Sequence, residues 1–381
     1  MIRLMFNPWS DLSDKITLYF HILSKIFEIS SDKKKHVRQL ILIAVLALYV
    51  AFIHARGIKD RGIADSENLS IDTLHENSDF HGDTMMQRSL DQYISAGWEN
   101  DLYFHHDFYF TNGFQLDVFH TKLLRSPIMA VLMPTGNNNE GHTYTGLQLR
   151  QEIFTPKDLA ADSISAGDHP YAATLSLTQV AVNIMPEKLM RIVTGLRLGI
   201  MGPASLGFRT QELAHRISNP SRPPQGWKYQ LQNDVIVNYE VLVEKGIIKN
   251  DLFIVGGVGS GRLGTLHSDL EGGLWFMLDP GDRYFNKIGP RGGPGLQFGF
   301  HFSTTARYVL YDATLQGGIF NKTSPYALST AELVRWIGIL HMSATLELWQ
   351  HQLEFYTRMA TPRFQSAVPH GWIGIAYRYW F

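Results

Sequence analysis

Ile373-Gly374-Ile375-Ala376-Tyr377-Arg378-Tyr379-Trp380-Phe381 closes the chain. In an extended strand, successive side chains point to opposite faces. Ile373, Ile375, Tyr377, Tyr379 and Phe381 therefore share one face, with Gly374, Ala376 and Arg378 on the other. One apolar, aromatic face and one small or polar face suit a strand with lipid on one side and a wet interior on the other. A soluble sandwich has no reason to finish on Tyr-x-Tyr-x-Phe.

The same period of two runs upstream. Ala173, Leu175 and Leu177 alternate with Thr174, Ser176 and Thr178, and Ile192, Leu196, Leu198 and Ile200 with Arg191, Gly195, Arg197 and Gly199. Val235, Val237, Tyr239, Val241 and Val243 oppose Asp234, Asn238 and Glu240. Periodicity is shared with soluble sandwiches; the aromatic terminal strand, which resembles the signature by which outer-membrane proteins are recognised for insertion, favours a barrel. After the first 55 residues no apolar run approaches a spanning helix, and only helices and closed barrels satisfy their backbone in lipid.

The expected fold is all-β: a transmembrane, antiparallel up-and-down β-barrel of about twelve strands, with a short helix in an outer loop. Strands are expected near 91–100, 111–121, 144–154, 170–183, 190–201, 230–243, 250–260, 265–278, 293–303, 305–316 and 371–381. The run 332–357 far exceeds the roughly 9–11 residues that cross a membrane. It is read as a hairpin turning near Ser343-Ala344.

The chain has 381 residues, a formal net charge of −1 and no cysteine. That charge balance offers no basic field for nucleic acid, and thiol catalysis and disulfides are excluded. Lys33, Lys34, Lys35, His36 and Arg38 precede an apolar run from Leu40 to Ile53. A basic stretch before roughly 7–15 apolar residues is the layout of an export signal. Residues 1–55 are thus expected to be a cleaved signal with a long leader, 56–90 a polar lead-in, and 91–381 the barrel. The expected location is the outer membrane.

Three unusual segments punctuate the first half: Trp98-Glu99-Asn100-Asp101 with Tyr109 to Gly113, Phe154-Thr155-Pro156 with Gly167 to Ala172, and Met201 to Ala204 with Thr210 to Ile217 and Gly226-Trp227. They join the first strand to the second, the third to the fourth and the fifth to the sixth, so all three emerge at one end. Convergent polar groups there make a candidate site. Thr210, Leu213, Ala214 and Ile217 have helical spacing, an apolar side to lay on the barrel wall. Gln211 and His215, four apart, share a face beside it, and Asn219-Pro220 ends the helix. For Asn100 and Asp101 to serve one site the strand must break or bulge between opposite-facing neighbours. His105-His106-Asp107 is read as a solvated loop tip, outside the site.

As an ordered set these segments are similar to the lipid A 3′-O-deacylase family. The matching pieces are Asn100-Asp101, Tyr109 to Gly113, Ile153 to Pro156, Gly167 to Ala172, Gly202-Pro203-Ala204, and Gln211 to Ile217 with Trp227. The resemblance covers roughly 91–381 and implies a twelve-stranded outer-membrane barrel that removes the 3′ acyloxyacyl chain in a calcium-dependent reaction. Asn100, Asp101, Thr111, Gln211 and His215 match its active-site positions, His215 as the base. Three departures stand out. A family carboxylate six residues beyond the histidine is Ser221 here, a common arginine is His169, and a lysine of the second outer loop has no counterpart.

The chemistry is consistent with that assignment. Ester hydrolysis needs a base for water and something to hold charge on the carbonyl oxygen. A histidine serves as base near neutral pH. Asn100, Asp101 and Thr111 offer oxygen ligands, which suit calcium better than zinc. No serine lies in a nucleophile-elbow motif, so attack by water is expected, with Ser205 a weak nucleophile candidate and Glu212 a second candidate to orient His215. The expected partner is lipopolysaccharide of the outer leaflet, met by a membrane-embedded monomer. A phospholipase and a non-catalytic structural barrel remain as alternatives.

Overall fold

The computed structural model describes residues 91–104, 107–132, 141–218, 224–278, 283–290 and 295–381. The expected signal and lead-in, Ser221, and His105-His106 lie outside them. Twelve antiparallel strands form a closed barrel in sequence order: β1 (Tyr93–Asn100), β2 (Tyr109–Phe119), β3 (His142–Thr155), β4 (Ala172–Met185), β5 (Met190–Met201), β6 (Asp234–Lys249), β7 (Phe253–Gly264), β8 (His267–Leu278), β9 (Gln297–Asp312), β10 (Trp336–Leu348), β11 (His351–Ala360) and β12 (His370–Trp380). The terminal strand closes the ring, with Tyr93 opposite Trp380 and Asn100 opposite Ile373.

Alternation sorts the side chains as expected. Leu149, Leu177, Leu198 and Val237 face outward and are exposed. The opposite parity carries an interior ion-pair ladder: Arg150 meets Glu99 at 2.6 Å and Glu152 at 3.1 Å, and Arg197 meets Glu240 at 3.0 Å.

Two expectations about strands are corrected. Residues 293–303 and 305–316 do not form two strands. One strand, β9, runs from Gln297 to Asp312, and Ala313–Gln316 turns away as helix α2, a single turn. Ser303-Thr304-Thr305 contains nothing that demands a turn, and β-branched residues favour extension. The late hairpin turns at Trp349-Gln350, between β10 and β11, rather than near Ser343-Ala344. Trp349 takes a left-handed φ of 54°, a conformation that a bulky residue does not announce in sequence.

Residues 121–132, between β2 and β3, form two short 3₁₀ turns that lie against the outward face of the wall. Gln179 accepts from Ser126 Oγ at 2.8 Å and donates to the Leu123 carbonyl at 3.3 Å. Two strands further round, the Tyr239 hydroxyl donates to the Val131 carbonyl at 3.1 Å. The segment thereby covers outward-facing Thr145, Gln179 and Thr194, all nearly fully buried. Polar groups on a lipid-facing wall need such a cover.

At the end where the odd-numbered strands hand over to the even ones, here the outer end, the interior is packed by Phe110, Phe154, Ala172, Leu231, Ile236 and Leu266. The β9–β10 connection folds over this packing. The Tyr326 hydroxyl accepts from Gly167 N at 2.7 Å and donates to the Asp168 carbonyl at 3.0 Å, and Asp234 Oδ2 accepts from Phe320 N and Asn321 N.

Replacing Gln179 with Ala should remove the two hydrogen bonds that tie Ser126 and the Leu123 carbonyl to the wall, at a cost of about 0.5–1.5 kcal/mol each. The check is the temperature at which the heat-modifiable barrel band converts on unheated gels, which should fall in Gln179→Ala.

Candidate active site

The site is built on the outside of the wall. Asn100 ends β1, with the same parity as exposed Ile94. Asp101 follows in a bend, so the strand does break between them. Opposite, the β2–β3 register slips between Phe110 and Asn112, leaving Thr111 as the extra residue of a bulge. A bulge re-aims side chains without ending the sheet. Asn100 Nδ2 donates to the Thr111 carbonyl at 2.6 Å, and Thr111 Oγ1 donates to the Ile153 carbonyl at 3.3 Å.

Asp101 is fully buried. Its Oδ2 accepts from Phe108 N at 3.0 Å, whereas its Oδ1 is enclosed with no hydrogen-bond partner. Burial first, and then the charge of nearby Asp107, push its pKa up to about 9. A carboxylate held at such a disadvantage is a place where a cation would be favourable.

Helix α1 (Gly207–Ser218) crosses outward-facing residues of β3 and β4. A Cβ at Gly207 would strike the Cβ of Ala173, so glycine permits the close approach. Thr210 Oγ1 donates to Gln151 Oε1 at 3.0 Å, and Gln151 Nε2 donates to the Ser205 carbonyl at 2.7 Å. Gln211 is buried, and its Oε1 accepts from Trp227 Nε1 at 2.6 Å. Trp227 in turn packs with Ile153, Tyr171 and Ala173. Gly207, Gln211 and His215, spaced by four, therefore make the wall-facing side.

That corrects the expected orientation of the helix. Leu213, assigned above to the side laid on the wall, is 60% exposed. The close approach at Gly207 and the Gln211–Trp227 bond set the rotation. Beside a membrane, outward leucine has lipid to meet.

The structure brings His215 to the first connection through a residue the sequence reading set aside. His215 Nε2 lies 3.4 Å from Asp107 Oδ2, with the imidazole only 12% exposed. Nothing local marked Asp107, which lies in a short polar run of the kind usually solvated. Glu212, the other candidate orienting acid, is bound to Arg216 at 2.9 Å instead. Ser205 Oγ donates to the Gly202 carbonyl at 2.6 Å, an arrangement that holds a turn and pairs it with no base.

His169 is also buried. Its Nδ1 lies 2.7 Å from the Pro170 carbonyl, and its ring stacks on Phe154 at 5.4 Å. Burial, with the charge of Arg363 adding to it, lowers its pKa to about 3. It stays neutral and enclosed, so it supplies no positive charge where the family commonly has an arginine.

A closed twelve-stranded barrel with an apolar outward face and a polar cluster on its outer wall defines an outer-membrane β-barrel protein. Residues 73–381 match the family profile described as Outer membrane protein LpxR. The chain belongs to the LpxR family, the lipid A 3′-O-deacylases that its motifs resemble. Among solved structures it is similar to LpxR from Salmonella typhimurium, with 18% identity and a TM-score of 0.61, covering 76% of this chain and 100% of that one. At that identity the likeness concerns the fold. The β-domain of the Bordetella autotransporter BrkA matches at 10% identity and a TM-score of 0.38, over 76% of this chain and 99% of that one. A comparison with curated protein sequences finds no match.

His169 makes a stability prediction with a definite sign. Unfolded, its imidazole takes up a proton near pH 6.5; folded, it does so only near 3. The unfolded state therefore binds the extra proton first, and stability is lost as pH falls from about 6.5 towards 3. His169→Phe should reduce that acid sensitivity, measured as the difference in barrel melting temperature between pH 7 and pH 4 for the two proteins.

Proposed function

We propose that the protein hydrolyses the ester of the 3′ acyloxyacyl chain of lipid A in the outer leaflet, with His215 as general base and calcium held by Asn100, Asp101 and Thr111. The observation that carries this reading is the meeting of His215 with the Asn100–Asp101 connection on the outward side of the wall. A lipid with its head at the membrane surface reaches that side directly, whereas the interior beneath the outer connections is packed with side chains.

The donor set fits a calcium ion. Asp101 Oδ1 is buried and without a hydrogen-bond partner. Among the described residues no group of three His, Asp or Glu is arranged for a metal, so the set rests on one carboxylate with amide and hydroxyl oxygens, as a hard cation prefers. Bound there, calcium would polarise the ester carbonyl or acidify a water.

The remaining steps belong to the chain. His215 takes a proton from water as the water oxygen bonds to the acyl carbon, then returns it to the sugar oxygen as the ester bond breaks. Gln211, held by Trp227, contacts or orients the substrate from the same helix face. In this reading the signal of residues 1–55 directs export, and the barrel acts as a monomer on lipopolysaccharide.

His215→Ala should slow deacylation by about 10²–10⁴-fold, the usual share of a positioned base, with Gln211→Ala slowed less. Mass spectrometry of lipid A from cells carrying each variant reads this out as retention of the 3′ acyloxyacyl group. A fully active His215→Ala protein would end the reading.

Calcium should restore activity after chelation and raise the barrel melting temperature, since a ligand of the native state stabilises it by mass action. In Asp101→Ala both effects should vanish. Chelation without effect on either would remove calcium from the mechanism.

A further inference from the structure

Resting on the reading of His215 as the base, we propose that Asp107 is the carboxylate that positions the imidazole, delivered to it across the wall by a connection that Asp101 pins in place. A histidine that must take a proton from water works only if one ring nitrogen is held protonated and the ring is held still. A carboxylate beside the other nitrogen supplies both and stabilises the imidazolium that forms, as the serine-protease triad illustrates. Asp107 Oδ2 stands 3.4 Å from His215 Nε2, and such contacts commonly tighten only with substrate bound.

The rival acids are committed elsewhere. Glu212 adjoins His215 in the helix but bonds Arg216. Asp101 spends Oδ2 on Phe108 N.

That last bond explains how Asp107 comes to be where it is. Asp101 grips the backbone one residue beyond Asp107, and the Asp101 carbonyl also accepts from Phe104 N at 3.0 Å. On the far side, Tyr109 takes a left-handed φ of 62°. A tyrosine persists there only where its surroundings over-determine it. Its ring supplies that constraint, buried against Phe364 at 5.2 Å and His370 at 5.6 Å. Asp107 thus precedes two held residues, Phe108 bonded to Asp101 and Tyr109 fixed by its ring, while His215 sits on a helix rotated by Gly207 and Gln211. Neither partner depends on the other for its place, which is what preorganisation requires.

One consequence concerns Asp101. Its Oδ2 holds Phe108 N, next to Asp107, while Oδ1 is buried without a hydrogen-bond partner. One carboxylate therefore links the cation position to the histidine's partner.

The test uses the full-length protein in detergent–lipid micelles with purified lipid A and saturating calcium. Asp107→Asn, nearly isosteric but unable to stabilise an imidazolium, should lower kcat by about 10–100-fold, the usual effect of losing a group that orients a catalytic ligand, with KM unchanged. Asp107→Glu should recover part of that loss. In a His215→Ala background, Asp107→Asn should cost nothing more, because a residue that acts through His215 has nothing left to act on.

Three results would overturn the assignment: wild-type kcat in Asp107→Asn, a further full-sized loss in the His215→Ala background, or a defect abolished by more calcium, which would make Asp107 a cation ligand. Heat-modifiable gel mobility verifies that each variant has assembled. An active His215→Ala protein would bring down the parent reading, whereas an inactive one beside a fully active Asp107→Asn protein would bring down only the role of Asp107.

Discussion

Everything in this molecule hangs on the pairing of β1 with β12. Eight residues of the first strand, Tyr93 to Asn100, face eight of the last, Trp380 to Ile373. In hydrocarbon each unsatisfied backbone group costs several kcal/mol, so a twelve-stranded sheet open at this seam would be untenable. Closure leaves no free sheet edge, so alternation governs the paired strands except at their bulges. Once the ring is shut, outward side chains meet lipid or a covering segment, and inward ones form the ion-pair ladder and the apolar packing at the outer end.

The seam also determines where the proposed site lies. Asn100 is the last paired residue of β1, so Asp101 is the first whose direction pairing does not dictate. Across from it, the bulge at Thr111 releases a second residue from strict alternation. The proposed site uses these two local failures of the sheet. A regular β1–β2 hairpin would have sent Asn100 and Asp101 to opposite sides of the wall, and no loop rearrangement could have reunited them.

Two segments cover the outside of the barrel, and they answer different needs. Residues 121–132 hide polar groups that lipid would not tolerate, with Gln179 satisfying the wall and the cover at once. Helix α1 lies over apolar Ile153 and Ala173 and satisfies the outward amide of Gln151 through Thr210. It also turns Gln211 and His215 towards the wall, His215 meeting Asp107 of the β1–β2 connection. With the outer end of the interior packed, the proposed approach of a lipid is along the wall.

The order of strands, their alternation and the common end of the odd-numbered connections were legible in the sequence, because a period of two and chain connectivity are local properties. So were the shared helix face of Gln211 and His215 and, through the ordered motifs that carry the family resemblance, the meeting of Asn100 with Thr111. The merging of 293–316 into β9 was not, since Ser303-Thr304-Thr305 reads equally as a gap or a strand until neighbours on both sides pair with it. Nor was the rotation of α1: its apolar stripe pointed to Leu213, but an outward leucine costs nothing beside lipid, and contact at Gly207 decided instead. Asp107 lay in a polar run with no pattern of its own. Its partner is remote in sequence, and a contact across the wall depends on how the chain closes, which no local spacing records.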